Sequence, residues 1–387
     1  MRKIYILIFI VVANLSALSQ FESSKVCQKC HPIIYKEHFS SSHRKASIYE
    51  DKVHKAVWDK HPLKQKEMYK CAKCHTPNDR AMIVSLKDGR KAIPKQNKAQ
   101  LEGVSCVSCH NIQSIKKHPK SNQNIITDDK HKLFSARESE KSNKNKGFSI
   151  QSSWFGLVTK ESGSPFHTID FTNENYYNGN VCIGCHSHKQ NAHKLEVCTM
   201  ELDKNPNSEK ENCITCHMPK VQGSFTTLHD SKTHRYHGFL GTMHKPRMLA
   251  KYVELGFEKK SDGFDVTIQN LANHPLLLQP LRVGELRVSI VSNGSVEKLK
   301  PVKFMRIIGK DSKPATPWVA DEVIKDTQLK AHERRVVHFS NTLKSGDRVE
   351  VVLGQYIVNP KMAKKLKIED KDLTTFKLFK KENFDVK

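Results

Sequence analysis

The apolar positions of this chain follow two different spacings along its 387 residues. After Pro32, side chains such as Tyr35 and Phe39 recur at three-to-four spacing, which predicts a short helix that begins at the proline. A second helix is predicted between residues 47 and 70, with Trp58 on its apolar side. The first part of the chain is therefore expected to be mainly α-helical and rich in loops.

From Lys251 onward, apolar and polar residues alternate with a period of two, which predicts strands. Turn signals such as Asp262-Gly263, Asn293-Gly294 and Gly346-Asp347 separate the runs. The predicted strands are Tyr252–Phe257, Phe264–Gln269, Leu286–Val291, Val336–Phe339, Val349–Val358 and Thr374–Leu378. Several short strands in about 135 residues predict an all-β domain of the antiparallel β-sandwich type.

Two stretches between these halves have no clear period. Residues 122–146 are polar and charged, which predicts an excursion over the surface. An aromatic concentration follows, suited to packing against a flat ligand or within a small core. It comprises Trp154, Phe155, Phe166, Phe171, Tyr176 and Tyr177.

The first residues have the pattern of a secretory signal peptide. Arg2 and Lys3 precede an apolar run from Ile4 to Ala13, and the small residues Ala17 and Ser19 follow at a plausible cleavage point. We therefore expect residues 1–19 to be cleaved and the mature protein to be periplasmic. An uncleaved membrane anchor is the alternative.

Ten of the eleven cysteines fall in five copies of one pattern, Cys-x-x-Cys-His. This is the attachment signature of haem c. Two thiols add across the two vinyl groups of one haem, and the adjacent histidine becomes the proximal ligand of the iron. We name the copies string 1 (Cys27, Cys30, His31), string 2 (Cys71, Cys74, His75), string 3 (Cys106, Cys109, His110), string 4 (Cys182, Cys185, His186) and string 5 (Cys213, Cys216, His217).

Zinc and disulfide bonds explain these cysteines less well than haem. Zinc ribbons combine two pairs about 15–20 residues apart, whereas these strings start 31 to 76 residues apart. A disulfide framework would scatter cysteines through the fold. Only Cys198 lies outside the strings, and an idle thiol is favoured there over an axial thiolate or a sulfur-substrate site.

Composition and histidine distribution indicate where the haem region ends. Apolar residues make up only 37% of the chain, so five haems are expected to supply the missing interior, and the region should not fold without them. Eighteen of the 21 histidines lie at or before His244, and only His274, His332 and His338 follow it. The predicted domains are a pentahaem cytochrome c domain at residues 20–245 and a β-sandwich domain at residues 250–387.

The formal net charge is +25. Nucleic acid is one partner of basic proteins. In an exported haem protein this charge instead favours acidic redox proteins or small anions, so we expect no nucleic acid.

The segment Ser41-Ser42-His43-Arg44-Lys45-Ala46 resembles a Ser-x-His-x-x-Ala element of the multihaem cytochromes c related to the tetrahaem electron carrier of hydroxylamine oxidation. The His-Thr-Pro sequence of string 2 and the Gly-Val before string 3 are also similar to this family. The resemblance covers about residues 24 to 244. It implies that His43 is the distal ligand of a neighbouring haem, but the family members have four haems and this chain has five strings.

Further distal ligands are expected among the remaining histidines. The resemblance implies His118, at a longer spacing than usual, and either His234 or His237 near the end of the region. His167, within the aromatic concentration, and His193, after string 4, are the other candidates.

Which function the protein has depends on whether every haem iron has a second, distal histidine. If every iron has two histidines, the protein is an electron carrier between a respiratory donor, such as a quinol-oxidising membrane protein, and a terminal acceptor. If one iron lacks a distal ligand, the protein is a multihaem oxidoreductase acting on a small nitrogen or sulfur compound. Cytochrome c nitrite reductases typically use a Cys-x-x-Cys-Lys string at the catalytic haem. The electron carrier is favoured because this chain contains no such string. No catalytic residue is predicted.

Overall fold

The computed structural model describes residues 23–153, 158–202, 204–228, 231–276 and 281–387. The predicted signal peptide, Trp154 and Phe155 lie outside these residues. Of the other aromatic residues in the predicted concentration, Phe171, Tyr176 and Tyr177 are buried, whereas Phe166 is 54% exposed.

The helices are short and lie mostly in the first half of the chain. They are α1 (Pro32–Ser40), α2 (Lys52–Asp59), α3 (Ala72–His75), α4 (Arg80–Lys87), α5 (Lys98–Glu102), α6 (Cys106–His110), α7 (Ile183–His186), α8 (Cys213–His217), α9 (Pro360–Leu366) and α10 (Lys371–Thr374). Short segments of 3₁₀ helix occur at Ser24–Lys29, Pro62–Lys64, Glu138–Glu140, Glu174–Tyr176, Asn180–Cys182 and Pro246–Tyr252.

Local sequence sets the ends of the first two helices. The predicted start of α1 at Pro32 is confirmed. A proline suits the first helical position because the N–H group that it lacks would have no partner there. Asp51 caps α2 by accepting hydrogen bonds from the backbone N–H groups of Val53 and His54. The predicted helix over 47–70 is too long, because α2 ends at Asp59 and Pro62 begins a separate 3₁₀ turn.

Ten short strands connect the helices of the first region. They are β1 (Ile112–Lys116), β2 (Gln123–Ile126), β3 (Lys132–Phe134), β4 (Ser149–Ser153), β5 (Val158–Ser162), β6 (Thr168–Asp170), β7 (His188–Gln190), β8 (Glu196–Thr199), β9 (Lys220–Gln222) and β10 (Thr233–Arg235). They pair two by two as β1–β2, β3–β6, β4–β5, β7–β8 and β9–β10, and among these described pairs only β3–β6 is parallel. The segment 122–146, predicted to be a surface excursion, contains β2 and β3.

The second region is rich in β-strands. They are β11 (Val253–Lys260), β12 (Gly263–Asn270), β13 (Val283–Ser292), β14 (Ser295–Lys298), β15 (Val302–Phe304), β16 (Arg306–Lys310), β17 (Lys313–Pro314), β18 (Glu322–Asp326), β19 (Arg334–Phe339), β20 (Arg348–Tyr356) and β21 (Lys377–Asp385). Three antiparallel sheets have the strand orders β11-β12-β19, β14-β13-β20-β21 with β15 also on β13, and β17-β16-β18.

The two larger sheets share one hydrophobic core. Phe264, Val266 and Ile268 of β12 and Val349 and Val351 of β20 are fully buried in the same cluster. The predicted alternation is therefore confirmed, since every second side chain of these strands faces the core. A mainly helical first part and a β-rich second part are likewise confirmed. The sandwich arrangement itself stays a prediction.

Turn and cap residues account for the connections. Asn293 and Gly294 both have positive φ in the two-residue turn between β13 and β14, as the Asn-Gly signal predicts. The predicted strand Thr374–Leu378 is wrong at its start, because Asp370 caps α10, which runs to Thr374, and β21 begins only at Lys377. None of the helices found among the described residues combines the length and apolar character that a bilayer crossing requires.

Candidate functional site

Four of the five attachment strings form a short helix that ends at the string histidine. These helices are α3, α6, α7 and α8. String 1 instead begins inside the 3₁₀ segment Ser24–Lys29, and its histidine immediately precedes α1. In one helical turn, residues three apart lie on the same side. The two thiols of each helical string can therefore face one ligand, with the histidine beside them.

The strings surround one large cavity of about 3320 Å³. All five string histidines line it, and so do nine of the ten string cysteines. Shared among five strings, 3320 Å³ leaves about 660 Å³ for each. Pockets for one drug-sized ligand typically measure about 300–1,000 Å³. The cavity is thus large enough to hold one haem on each string.

Four string histidines are oriented by a hydrogen bond from Nδ1 to a backbone carbonyl. The pairs are His31 to Phe225 at 2.6 Å, His75 to Ala46 at 3.1 Å, His110 to Phe134 at 2.7 Å and His217 to Leu240 at 2.6 Å. A carbonyl only accepts, so Nδ1 carries the proton and Nε2 keeps its lone pair for a metal. These imidazoles are therefore in the form that ligates iron.

Burial favours the uncharged form of the string histidines His75, His110, His186 and His217, because it lowers the pKa of each. It lowers the pKa of His75 and of His186 to about 4, and nearby histidines add to the effect. Neutral imidazole is the form that binds a metal. The polar groups around the cavity thus fit a set of iron centres.

Two string histidines face a second histidine across the cavity. The ring centroids of His110 and His237 are 6.3 Å apart with 20° between the ring planes. Those of His217 and His274 are 6.1 Å apart with 24° between the planes. An iron held about 2 Å from an imidazole nitrogen on each face sets the centroids about 6 Å apart. Both pairs therefore fit bis-histidine ligation.

String 4 has a partner with a different orientation. The ring of His43 lies 5.7 Å from that of His186, nearly perpendicular to it at 89°. The pKa of His43 is lowered to about 3, chiefly because the side chain is buried and then because His186 lies nearby. The structure thus brings His43 opposite string 4, consistent with a distal ligand.

His167 lies close to string 1. The pKa of His167 is lowered to about 4, chiefly by burial and then by the nearby His31 and His110. Its Nδ1 is buried without a hydrogen-bond partner, and the residue lines the cavity. His167 therefore lies in the part of the cavity near strings 1 and 3, consistent with a distal ligand.

String 2 has a different environment. His75 and His54 both bond through Nδ1 to the carbonyl of Ala46, at 3.1 and 3.0 Å. Their ring centroids are only 3.9 Å apart, too close for an iron between them. The Nε2 of His54 is 3.4 Å from the hydroxyl of Tyr69. The contacts of the described chain provide no second histidine opposite His75.

Three other predicted ligands are not brought opposite a string histidine. His118 lines the cavity, but its Nδ1 accepts a hydrogen bond from the N–H of Lys120. His193 is exposed in the turn between β7 and β8. Both nitrogens of His234 are engaged, with the carbonyl of Gly223 at 2.8 Å and the carboxylate of Glu37 at 3.1 Å. Their assignment as ligands stays a prediction, and the geometry favours His237 over His234.

Sequence reasoning missed His274 as a cavity residue. The histidine count placed the end of the haem region near residue 245, which left His274 in the β region. The segment Asn273-His274-Pro275 contained the available signal, because a histidine next to a proline is held in an irregular connection after β12. The β region therefore contributes directly to the cavity.

The strings touch one another through their thiols. Side-chain hydrogen bonds join Cys27 to Cys106, Cys74 to Cys185 and Cys182 to Cys213. String 1 thus adjoins string 3, and string 2 adjoins string 4, which adjoins string 5. Within the described residues, no group of three or more His, Cys, Asp or Glu side chains could hold a bare metal ion.

Comparison with known proteins agrees with the strings and the cavity. Residues 26–111 match the family model described as cytochrome c554 and c-prime. No curated protein matches the chain. The structure is similar to that of a penta-heme cytochrome c552 from Thermochromatium tepidum, with a TM-score of 0.70 and 21% identity over 95% of this chain and 99% of that one. The resemblance to multihaem c-type cytochromes is confirmed.

Proposed function

We propose that this protein is a periplasmic pentahaem cytochrome that transfers electrons between a respiratory donor and a terminal acceptor. Each of the five strings would hold one covalently attached haem c. Haem iron supplies reversible one-electron chemistry between its ferric and ferrous states. The protein's own residues attach the haems, complete their ligand sets and keep water away from the irons.

The observation that carries the proposal is the pairing of histidines across the cavity. His237 lies 6.3 Å from His110 and His274 lies 6.1 Å from His217. An iron with two histidines has no open position, so it can pass an electron but cannot bind a substrate. Such ligation suits an electron carrier.

The contacts between strings support transfer along the protein. Thiol contacts join strings 1 and 3 and strings 2, 4 and 5. Hydrogen bonds to Cys213 and Cys74 and then burial raise the pKa of Cys182 and of Cys185, and Cys109 adds to both shifts, so string 3 lies near string 4. The five attachment points therefore form one connected series.

The net charge supports an acidic partner. The chain has 65 Lys and Arg residues against 40 Asp and Glu residues, and complementary charge speeds the encounter of redox proteins. We propose an acidic or membrane-bound, quinol-oxidising donor as the partner.

Electron paramagnetic resonance of the oxidised protein tests this function. We expect low-spin ferric signals from the haems of strings 1, 3, 4 and 5, and reversible reduction of every iron in a potentiometric titration. High-spin iron as the main species would contradict an electron carrier.

A second candidate function rests on string 2. Since His75 has no opposing histidine among its described contacts, its iron could bind a small nitrogen or sulfur compound, and the protein would be an oxidoreductase. Steady-state assays with nitrite, hydroxylamine and sulfite, using reduced viologen as donor, test this. Turnover together with a ligand-induced Soret shift would favour it. If neither turnover nor a Soret shift is observed, the electron carrier remains as the single candidate function.

A further inference from the structure

Arg282 is a positively charged residue on the wall of the cavity. It immediately precedes β13 and lines the cavity together with Thr242 and Gln355. Its Nη1 donates to the hydroxyl oxygen of Thr242 at 3.3 Å, and the amide nitrogen of Gln355 lies 2.9 Å from the same oxygen. These three side chains form one polar group inside the molecule.

No carboxylate neutralises Arg282 within the described part of the chain. The ion pairs formed there do not include it, although they include neighbours such as Arg287 and Arg306. Two groups could place a negative charge near Arg282: Cys198, a thiol whose pKa is raised by burial and which therefore stays neutral, and the carboxylate of Asp51, which already caps α2. Guanidinium groups stay protonated in proteins, and an unpaired buried charge costs several kcal/mol. A negative charge is therefore missing from this place.

Two atoms of the group also lack a partner. Nε of Arg282 and Oε1 of Gln355 are buried without a hydrogen bond. The oxygen and nitrogen of an amide are assigned from their hydrogen bonds. If the amide is turned over, the Thr242 hydroxyl donates to Oε1 and the amide N–H group takes the unpartnered position. Arg282 and Gln355, which both contact Thr242, then each have a buried N–H group without an acceptor.

Arg282 also lies close to the haem strings. Its charge contributes to the lowered pKa of His186, after burial and the charges of His75 and His217. The group is therefore in the haem part of the cavity, although Arg282 and Gln355 come from the β region.

We propose that Arg282, with Thr242 and Gln355, binds an anion that presents two oxygens. Planar two-oxygen anions match the fork of a guanidinium, which binds them through two parallel hydrogen bonds. One source is the carboxylate of a haem propionate, and the other is a small free anion such as nitrite. The inference rests on the proposed function, because haem groups define the space in front of Arg282.

The test compares the haem-loaded variant Arg282→Gln with Arg348→Gln, in which an exposed arginine on β20 is changed. Intact mass first gives the number of attached haems. Resonance Raman spectra then report the bending bands of the propionates, and calorimetric titration with nitrite reports a free anion.

A haem propionate on Arg282 predicts that one propionate bending band moves in Arg282→Gln and none moves in Arg348→Gln. A free anion predicts saturable binding of nitrite to the unmodified protein, weakened about tenfold or more in Arg282→Gln, since hydrogen bonds to charged groups are worth about 1.5–3 kcal/mol. If neither readout differs from Arg348→Gln while five haems are attached, the proposal is overturned.

Two further results keep the tests separate. Fewer than five haems on the unmodified protein would contradict the proposed function, not the anion site. If Arg282→Gln yields no haem-loaded protein, Arg282→Lys replaces it, because lysine keeps the charge and loses the fork. The same band shift or loss of nitrite affinity is expected, and the absence of both again overturns the proposal.

Discussion

The two regions of this molecule build their interiors from different materials. The cluster shared by the β-sheets contains fourteen buried apolar side chains, including Phe264, Leu286 and Val351. The largest cluster before residue 245 has seven, and the strings enclose a cavity of about 3320 Å³ instead. A region with too few apolar side chains thus leaves room for a cofactor, whereas the β region fills its interior itself.

The regions also share contacts. Asn191 donates to the carbonyls of Pro317 and Ala320 at 2.7 and 2.6 Å, and Arg306 donates to the carbonyl of Glu196 at 2.6 Å. His274 enters the cavity from the β side. The β region is therefore part of the site as well as a separately packed unit.

The largest difference between the regions should appear when haem is withheld. In haem-free full-length protein, residues 23–245 should be cleaved rapidly by a protease, because their interior is missing, while the β region resists. Limited proteolysis followed by mass spectrometry measures this, with haem-loaded protein as the control. Equal resistance of both regions without haem would contradict the comparison.

A core truncation tests the packing of the β region. Phe264→Ala should lower its free energy of unfolding by about 3–5 kcal/mol, because the side chain is completely buried in the hydrophobic cluster that the two larger sheets share. Val296→Ala, at a position 55% exposed, should change it by less than about 0.5 kcal/mol. Denaturant titration followed by circular dichroism compares them. Similar losses in both variants would show that this core does not stabilise the region.

Removal of His274 tests whether the β region completes the cavity. His274→Ala should convert one ferric iron from low spin to high spin, because the histidine opposite His217 is lost. His338→Ala, at an exposed histidine paired with Asp265 on the sheet, should leave the spectra unchanged. Electron paramagnetic resonance counts the low-spin and high-spin ferric irons in each variant. An unchanged spectrum of His274→Ala would exclude this residue as a ligand.

The smallest effect is expected at an ion pair between the regions. Lys330 contacts Glu201 at 3.1 Å and Asp326 at 2.8 Å, on a partly exposed surface. Lys330→Ala should lower stability by about 0–1 kcal/mol, close to the change in Lys300→Ala, an exposed lysine that forms no ion pair with any described residue. Thermal unfolding measures both. A loss of several kcal/mol would mean that surface charges, and not the cavity and core, hold the regions together.

Local patterns in the sequence predicted much of this structure. Pro32 marked a helix start, Asn293-Gly294 marked a hairpin, and alternation marked most strands of the two large sheets. The attachment strings predicted residues that line the cavity, because their chemistry is contained within five consecutive positions; their role in binding haem stays a prediction.

Long-range pairing could not be predicted in the same way. His43 opposite His186 and His274 opposite His217 are separated by 143 and 57 positions, and no local pattern specifies which ring meets which. Arg282 belongs to no sequence motif. It is recognised in the folded chain because its Nε is buried without a hydrogen-bond partner. Distal ligands and anion sites therefore depend on tertiary structure.

The mass of the purified mature protein and of its five string peptides tests the central claim most directly. The account predicts a mass above that of the polypeptide by five haems, with one haem on each peptide. A mass equal to that of the bare chain would contradict it.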